Sequence, residues 1–133
     1  ADNAKREEQP VIGDTPLSGQ VLILEDNMLI AMETEEMLQN LGAKQCHIAG
    51  SIDAALRLLN EQDIDFALLD VNLGNETSEE IALVLQGRGT PFAFATGYGE
   101  LSSVSEAFEG VSIVTKPFNT QDLLSAIRKS SNG

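Results

Sequence analysis

From Gln20 onward the chain alternates short apolar runs with stretches whose apolar positions recur every three or four residues. Val21-Leu22-Ile23-Leu24 is unbroken apolar sequence, the pattern of a strand buried on both faces. Ile30, Thr34, Met37 and Leu41 then recur at helical spacing, and Gly42 predicts the end of that helix. Residues 45–49 read as a short second strand. Ser51 is placed to cap a helix running to about residue 62, with Ala55, Leu56 and Leu59 turned inward. Phe66-Ala67-Leu68-Leu69 reads as a third strand. Ser78 opens a helix through Ile81, Val84 and Leu85 that ends in the Gly87-Arg88-Gly89 break. Residues 92–95 form a fourth strand, residues 100–109 carry a weak helical signal, and residues 111–114 form a fifth strand. Asn119 caps a last helix, with Asp122 three residues on and Leu123, Leu124 and Ile127 facing the sheet.

Five strands alternating with about five helices predict an α/β fold with a parallel sheet covered on both faces. Right-handed crossovers leave few topologies. The one expected is the flavodoxin-like (βα)5 doubly wound sheet, strand order 2-1-3-4-5, spanning residues 20–131. Residues 1–19 are polar, carry Pro10 and Pro16 and show no periodicity, and so read as a flexible tail. In such a sheet ligands bind beyond the carboxyl ends of the strands, at the switch point between the first and third.

Charge narrows the partners. The chain carries 21 acidic and 8 basic residues, a net charge of −13, which argues against direct binding of nucleic acid. No apolar run approaches the ~20 residues of a membrane span, and no export signal opens the sequence. Cys46 is the single cysteine, so no internal disulfide forms, in keeping with a cytoplasmic location.

The residues that follow each strand carry the chemistry. Glu25-Asp26 follows the first, Asp70 the third, Thr96 the fourth and Lys116-Pro117 the fifth. Each has an ordinary explanation alone: strand ends are often polar, Lys-Pro is a common turn, and a strand-end threonine is commonly satisfied by backbone. Their succession at four strand ends is what departs from chance. The predicted sheet gathers them along one edge. Carboxylates there can share a hard cation, Mg²⁺ or another divalent ion. One carboxylate can attack phosphorus, while an ammonium and a metal neutralise phosphoryl oxygens.

These residues carry a resemblance. Residues 20–129 resemble the receiver domain of two-component response regulators through Val21-Leu22-Ile23-Leu24-Glu25-Asp26, Ala67-Leu68-Leu69-Asp70-Val71-Asn72-Leu73-Gly74, Ala95-Thr96-Gly97 and Thr115-Lys116-Pro117-Phe118. The resemblance implies that Asp70 accepts a phosphoryl group from a phosphohistidine of a histidine kinase. It implies that Glu25, Asp26, Asp70 and the backbone carbonyl of Asn72 hold Mg²⁺. It gives Thr96 a phosphoryl oxygen to bond and Lys116 the phosphoryl group or Asp70, and it makes the bond before Pro117 cis. It further implies autocatalytic acceptance with slow self-dephosphorylation, rather than enzymatic turnover, and an output through a downstream protein or a phosphotransfer protein, whether the chain works alone or within a larger regulator.

Two positions set this chain apart. Ile113 stands three residues before the lysine, where receivers usually carry an aromatic ring. The stretch Pro91-Phe92-Ala93-Phe94-Ala95-Thr96-Gly97-Tyr98-Gly99 resembles a receiver subgroup with a Pro-Phe-x-Phe-Ala-Thr-Gly motif that works with kinases of the HWE type, Tyr98 lying one place early. Tyr98 is therefore a candidate switch over the site, against a reading as a loop aromatic. His47 and Cys46 read as structural residues. Two other functions compete: a phosphohydrolase working through an aspartyl phosphate, which lacks its usual Asp-x-Asp after the first strand, and a receiver-like module that binds partners without phosphorylation.

Overall fold

A computed structural model describes residues 17–73, 76–97, 108 and 110–132. The chain forms β1 (Gln20–Leu24), α1 (Met28–Asn40), β2 (Gln45–Ala49), α2 (Ile52–Glu61) and β3 (Phe66–Asp70). A two-stranded ribbon follows, β4 (Asn72–Leu73) and β5 (Glu76–Thr77), then α3 (Glu79–Arg88), β6 (Phe92–Thr96), β7 (Ser112–Thr115) and α4 (Thr120–Asn132). The main sheet is parallel and ordered β2-β1-β3-β6-β7. With the ribbon set aside, this is the 2-1-3-4-5 order the sequence predicts.

Alternation along the buried strands sends side chains to two separate apolar layers. Leu22, Leu24, Leu69 and Phe94 pack on one face with α2 and α3. Val21, Ile23, Leu68 and Ala93 pack on the other with α1 and α4. Every residue of β3 and β6 is buried. Each fully buried Leu, Ile or Phe contributes roughly 1.5–3 kcal/mol of transfer free energy, so both layers are needed to hold so small a sheet. Phe92, Phe94 and Phe108 form an edge-to-face trio, with centroids 5.5–6.3 Å apart.

Helix ends follow local chemistry. Ser51 Oγ accepts from Ala54 N–H, as predicted. Asn119 and Asp122 exchange side-chain-to-backbone hydrogen bonds of 2.8 and 3.0 Å, a reciprocal capping box. Gly42, at φ +112°, follows α1 as expected. The third helix ends within the expected Gly87-Arg88-Gly89 break, at Gly89, whose φ of +73° suits a residue without a β-carbon.

Ser78 opens α3 as expected, although its side chain makes no capping bond. The ribbon β4–β5 adds to the expected elements. The expected tail is the part that shifts. Of the segment read as a tail, residues 1–16 lie outside the described residues, whereas Leu17 is 7% exposed and donates from its N–H to Leu41 O at 3.1 Å. Gly19 O accepts from Lys44 N–H at 2.8 Å, so residues 17–19 dock onto the fold. Apart from Phe108, the weak helix expected at 100–109 lies outside the described residues, and so does Tyr98.

Candidate functional site

The first link of the site is the end of β1. Glu25 continues the ladder by one bond, its N–H donating to Ala49 O at 2.9 Å, which carries its side chain into the sheet edge. Only 5% of Glu25 is exposed. Asn27 then does two things. Its side-chain oxygen caps α1 by accepting from Ile30 N–H, and its own N–H donates to Glu25 Oε2 at 3.0 Å. The same residue that starts the helix thus steers the glutamate inward. Asp26, between them, stays exposed.

Strand β3 supplies Asp70 as its last residue, 4% exposed. Neighbouring β6 ends one residue beyond the Asp70–Ala95 register pair, at Thr96. The turn after β7 brings Lys116, whose N–H donates to Thr96 O at 2.7 Å and whose peptide bond to Pro117 is cis. That turn aims the lysine ammonium at both buried carboxylates: Nζ lies 2.8 Å from Glu25 Oε1 and 3.2 Å from Asp70 Oδ2.

Two buried carboxylates therefore share one cation. Burial pushes the Asp70 carboxyl up, the Glu25 charge pushes it further, and Lys116 offsets only part of this, leaving it at about 6. For Lys116 burial acts to lower the affinity for the proton, but the hydrogen bond to Glu25 and the charges of Asp70 and Glu25 outweigh it, so the ammonium is held above its ordinary range. The remaining Asp70 oxygen, Oδ1, has a long 3.5 Å contact from Asn72 N–H. It is an under-coordinated oxygen at the sheet edge.

The donor set fits a hard divalent cation. Glu25, Asp26 and Asp70 each present an oxygen, and all three atoms lie within 4.8 Å of one another. Thr96 adds a second mark of an incomplete site. Its Oγ1 is fully buried and has no hydrogen-bond partner among the described residues, a cost that a ligand oxygen would relieve.

The sequence-predicted residues Glu25, Asp26, Asp70, Thr96 and Lys116 thus meet at one edge, with Asn72 touching Asp70 through its N–H. Asn27 was missed, although an Asn directly before an amphipathic stretch is a helix-start signal. His47 sits away from the site, its Nε2 2.7 Å from Gln20 Oε1. Cys46 is half-buried, and burial with the nearby Glu35 charge pushes its thiol to about 11, an inert form.

Comparison with known proteins points to one family. The chain is 30% identical over 120 residues to the transcriptional regulatory protein PdtaR of Mycobacterium tuberculosis, covering 86% of this chain and 57% of that one. It is 26% identical to the phyllosphere-induced regulator PhyR of Methylorubrum extorquens, covering 86% of this chain and 44% of PhyR. The chain spans about half the length of these relatives. Among solved structures, SdrG from Sphingomonas melonis Fr1 superposes with a TM-score of 0.75 at 34% identity, covering 87% of this chain and 98% of SdrG. The family pattern described as the response regulator receiver domain matches residues 21–128. With that match over most of the chain, and the acidic edge and its lysine in place, the protein belongs to the response regulator receiver domain family.

Proposed function

We propose that the chain is the phospho-acceptor of a two-component phosphorelay, taking a phosphoryl group from a phosphohistidine onto Asp70. The observation that carries this reading is the Lys116 ammonium poised between Glu25 and Asp70 at a carboxylate cluster fit for a cation. An oxygen of Asp70 attacks phosphorus, the phosphorus–nitrogen bond to the donor imidazole breaks, and its electron pair leaves with the ring nitrogen. Lys116 neutralises developing charge on the phosphoryl oxygens, and Thr96 Oγ1 donates to one of them. Glu25, Asp26, Asp70 and the Asn72 carbonyl would hold Mg²⁺, which when bound neutralises phosphoryl charge and orients the transfer. The residue set supports an autocatalytic acceptor with slow self-dephosphorylation, not an enzyme acting on a free metabolite.

The donor in this reading is a histidine kinase of the HWE type, through the Pro91-Phe92-Ala93-Phe94-Ala95-Thr96-Gly97 motif. That motif alone carries the choice of donor, and in this reading the output runs through protein contacts in the cytoplasm. Among the described residues no helix is long and apolar enough to cross a membrane. Incubation with phosphoramidate or acetyl phosphate and Mg²⁺, followed by intact mass, tests the reading. One phosphate per chain, lost in Asp70→Asn, is expected. Full-rate uptake by that variant would move the acceptor elsewhere.

A further inference from the structure

Asn27 is exposed and lies outside the cluster of cation-binding carboxylates, yet two bonds meet on it. Its Oδ1 accepts from Ile30 N–H at 3.2 Å and closes the first turn of α1, while its own N–H donates to Glu25 Oε2 at 3.0 Å. We propose that Asn27 is a positioning residue for the cation site, joining the first turn of α1 and the Glu25 carboxylate into a unit that forms or loosens together. The inference rests on the acceptor reading above, because it concerns the cation that reading requires.

The two oxygens of Glu25 have separate partners: Oε2 takes the Asn27 N–H, and Oε1 takes the Lys116 ammonium at 2.8 Å. Only 5% of the residue is exposed, so water is a poor substitute for either partner. The Asn27 N–H is aimed by the cap conformation, φ −90° and ψ 110°, which the bond from Ile30 N–H to Oδ1 maintains. Loss of the cap lets the first turn fray and takes that donor from Glu25. Glu25 then shifts, and Lys116 is drawn onto Asp70 Oδ2, 3.2 Å away, where its charge competes with a cation for the same carboxylate.

The other helices set this role apart. Among the described helices α2, α3 and α4 each carry an acidic residue in the first turn, Asp53, Glu79 with Glu80, and Asp122, whereas α1 has none. A helix amino end favours a nearby negative charge. At α1 that charge is Glu25, the site carboxylate bonded to the cap residue. Asparagine caps the helix without adding a charge to an edge that already gathers Glu25, Asp26 and Asp70. Linkage makes the effect reciprocal: what the cap gives to the cation, the cation returns to the first turn.

Two caps compared in the full chain test the proposal. Ser51 caps α2 by the same kind of bond, Oγ accepting from Ala54 N–H at 3.1 Å, and that bond involves no site carboxylate. Titration with Mg²⁺, followed by NMR at the Asn72 amide beside Asp70, gives the affinity. Asn27→Ala should weaken it about three- to fivefold, bounded by the worth of one cap. Asn27→Ser should restore it, and Ser51→Ala should leave it unchanged while lowering Tm by a comparable amount. In the wild type Mg²⁺ should slow hydrogen exchange at the Ile30 amide and not at the Ala54 amide. Unchanged affinity in Asn27→Ala, equal weakening in Ser51→Ala, or an Ile30 amide indifferent to Mg²⁺ overturns the proposal and leaves the acceptor reading standing. A wild type that binds no Mg²⁺ overturns the acceptor reading, and the proposal with it.

Discussion

Strand β3 is buried from end to end, yet its two ends obey different rules. Phe66-Ala67-Leu68-Leu69 is apolar, and its burial drives folding. Asp70 is as buried as its neighbours but is a carboxylate, facing a second buried carboxylate and sharing a single ammonium. The same contrast recurs on β6, where Phe94 packs in an aromatic trio while Thr96, two residues on, keeps a buried hydroxyl without a partner. Burial alone does not separate interior from site. Clustering of polar groups does: among the described residues Ser78 Oγ is a lone buried hydroxyl without a partner, whereas the carboxyl edge gathers two buried carboxylates on one ammonium beside the unpartnered Thr96 hydroxyl.

The largest separation of the two regions comes from paired substitutions on β3. Asp70→Asn should abolish phosphate uptake in intact mass and leave the fold standing. Leu69→Ala should do the reverse, retaining the acceptor while lowering stability by about 2–5 kcal/mol in urea titration. A Leu69→Ala variant as stable as the parent would show that the layer with α2 and α3 is not tightly packed.

Lys116→Ala should come next. It strips the cation from Glu25 and Asp70 and leaves two buried carboxylates facing each other. The cost should be on the order of 2 kcal/mol, below the ~3–5 for breaking a fully buried pair, since the lysine side chain is 21% exposed. Mg²⁺ should restore more stability to this variant than it adds to the wild type, because a metal bound only by the folded cluster stabilises it by mass action. A metal-dependent rise in Tm that is equal in both proteins would break the link between lysine and cation site.

Smaller still is a pH effect. The Asp70 carboxyl is raised to about 6 in the folded chain, so between the ordinary carboxylate range and that value the folded state holds more protons than the unfolded. Stability contributed by this group is therefore present at low pH and lost as pH rises through about 6. Asp70→Asn removes the titration, so its stability gain over the wild type should be greater at pH 7.5 than at pH 5. Equal gains at both values, measured by thermal unfolding without metal, would place Asp70 outside the coupled cluster.

How far the sequence carried this distinction depends on the scale of the signal. Unbroken apolar runs such as Val21-Leu22-Ile23-Leu24 announce strands buried on both faces, and the topology followed from their alternation with helical periods. The polar residues right after those strands were legible for the same reason, since topology alone puts them at one edge. Finer features were not. The β4–β5 ribbon has two residues per strand, too short to show a period, although Gly74-Asn75 between them is a hairpin signal. Asn27 went unseen because its steering of Glu25 depends on a backbone N–H, which no side-chain pattern records. The docking of Leu17 is likewise a single contact at the edge of a polar stretch. The shared lysine between Glu25 and Asp70 is a matter of ångströms, and spacing in sequence cannot distinguish it from a lysine on Asp70 alone.

The smallest expected effect compares two buried threonines. Thr34, on α1, is 2% exposed and donates from Oγ1 to Ile30 O at 2.7 Å. Thr96 is fully buried with Oγ1 unpaired. Valine is nearly the same shape as threonine and lacks the hydroxyl. Thr34→Val removes a made hydrogen bond, so it should cost about 0.5–1.5 kcal/mol, less whatever the buried methyl regains. Thr96→Val removes a hydroxyl already stripped of water with nothing given in return, so it should be neutral or stabilising by up to ~1 kcal/mol. The sign should then turn once Asp70 carries beryllofluoride, a mimic of the aspartyl phosphate. The wild-type hydroxyl gains an acceptor there and the valine gains none, so the mimic should raise Tm less in Thr96→Val than in the wild type. Equal rises would mean that Thr96 never meets the phosphoryl group, and its buried hydroxyl would then be a defect of packing instead of a contact held in reserve.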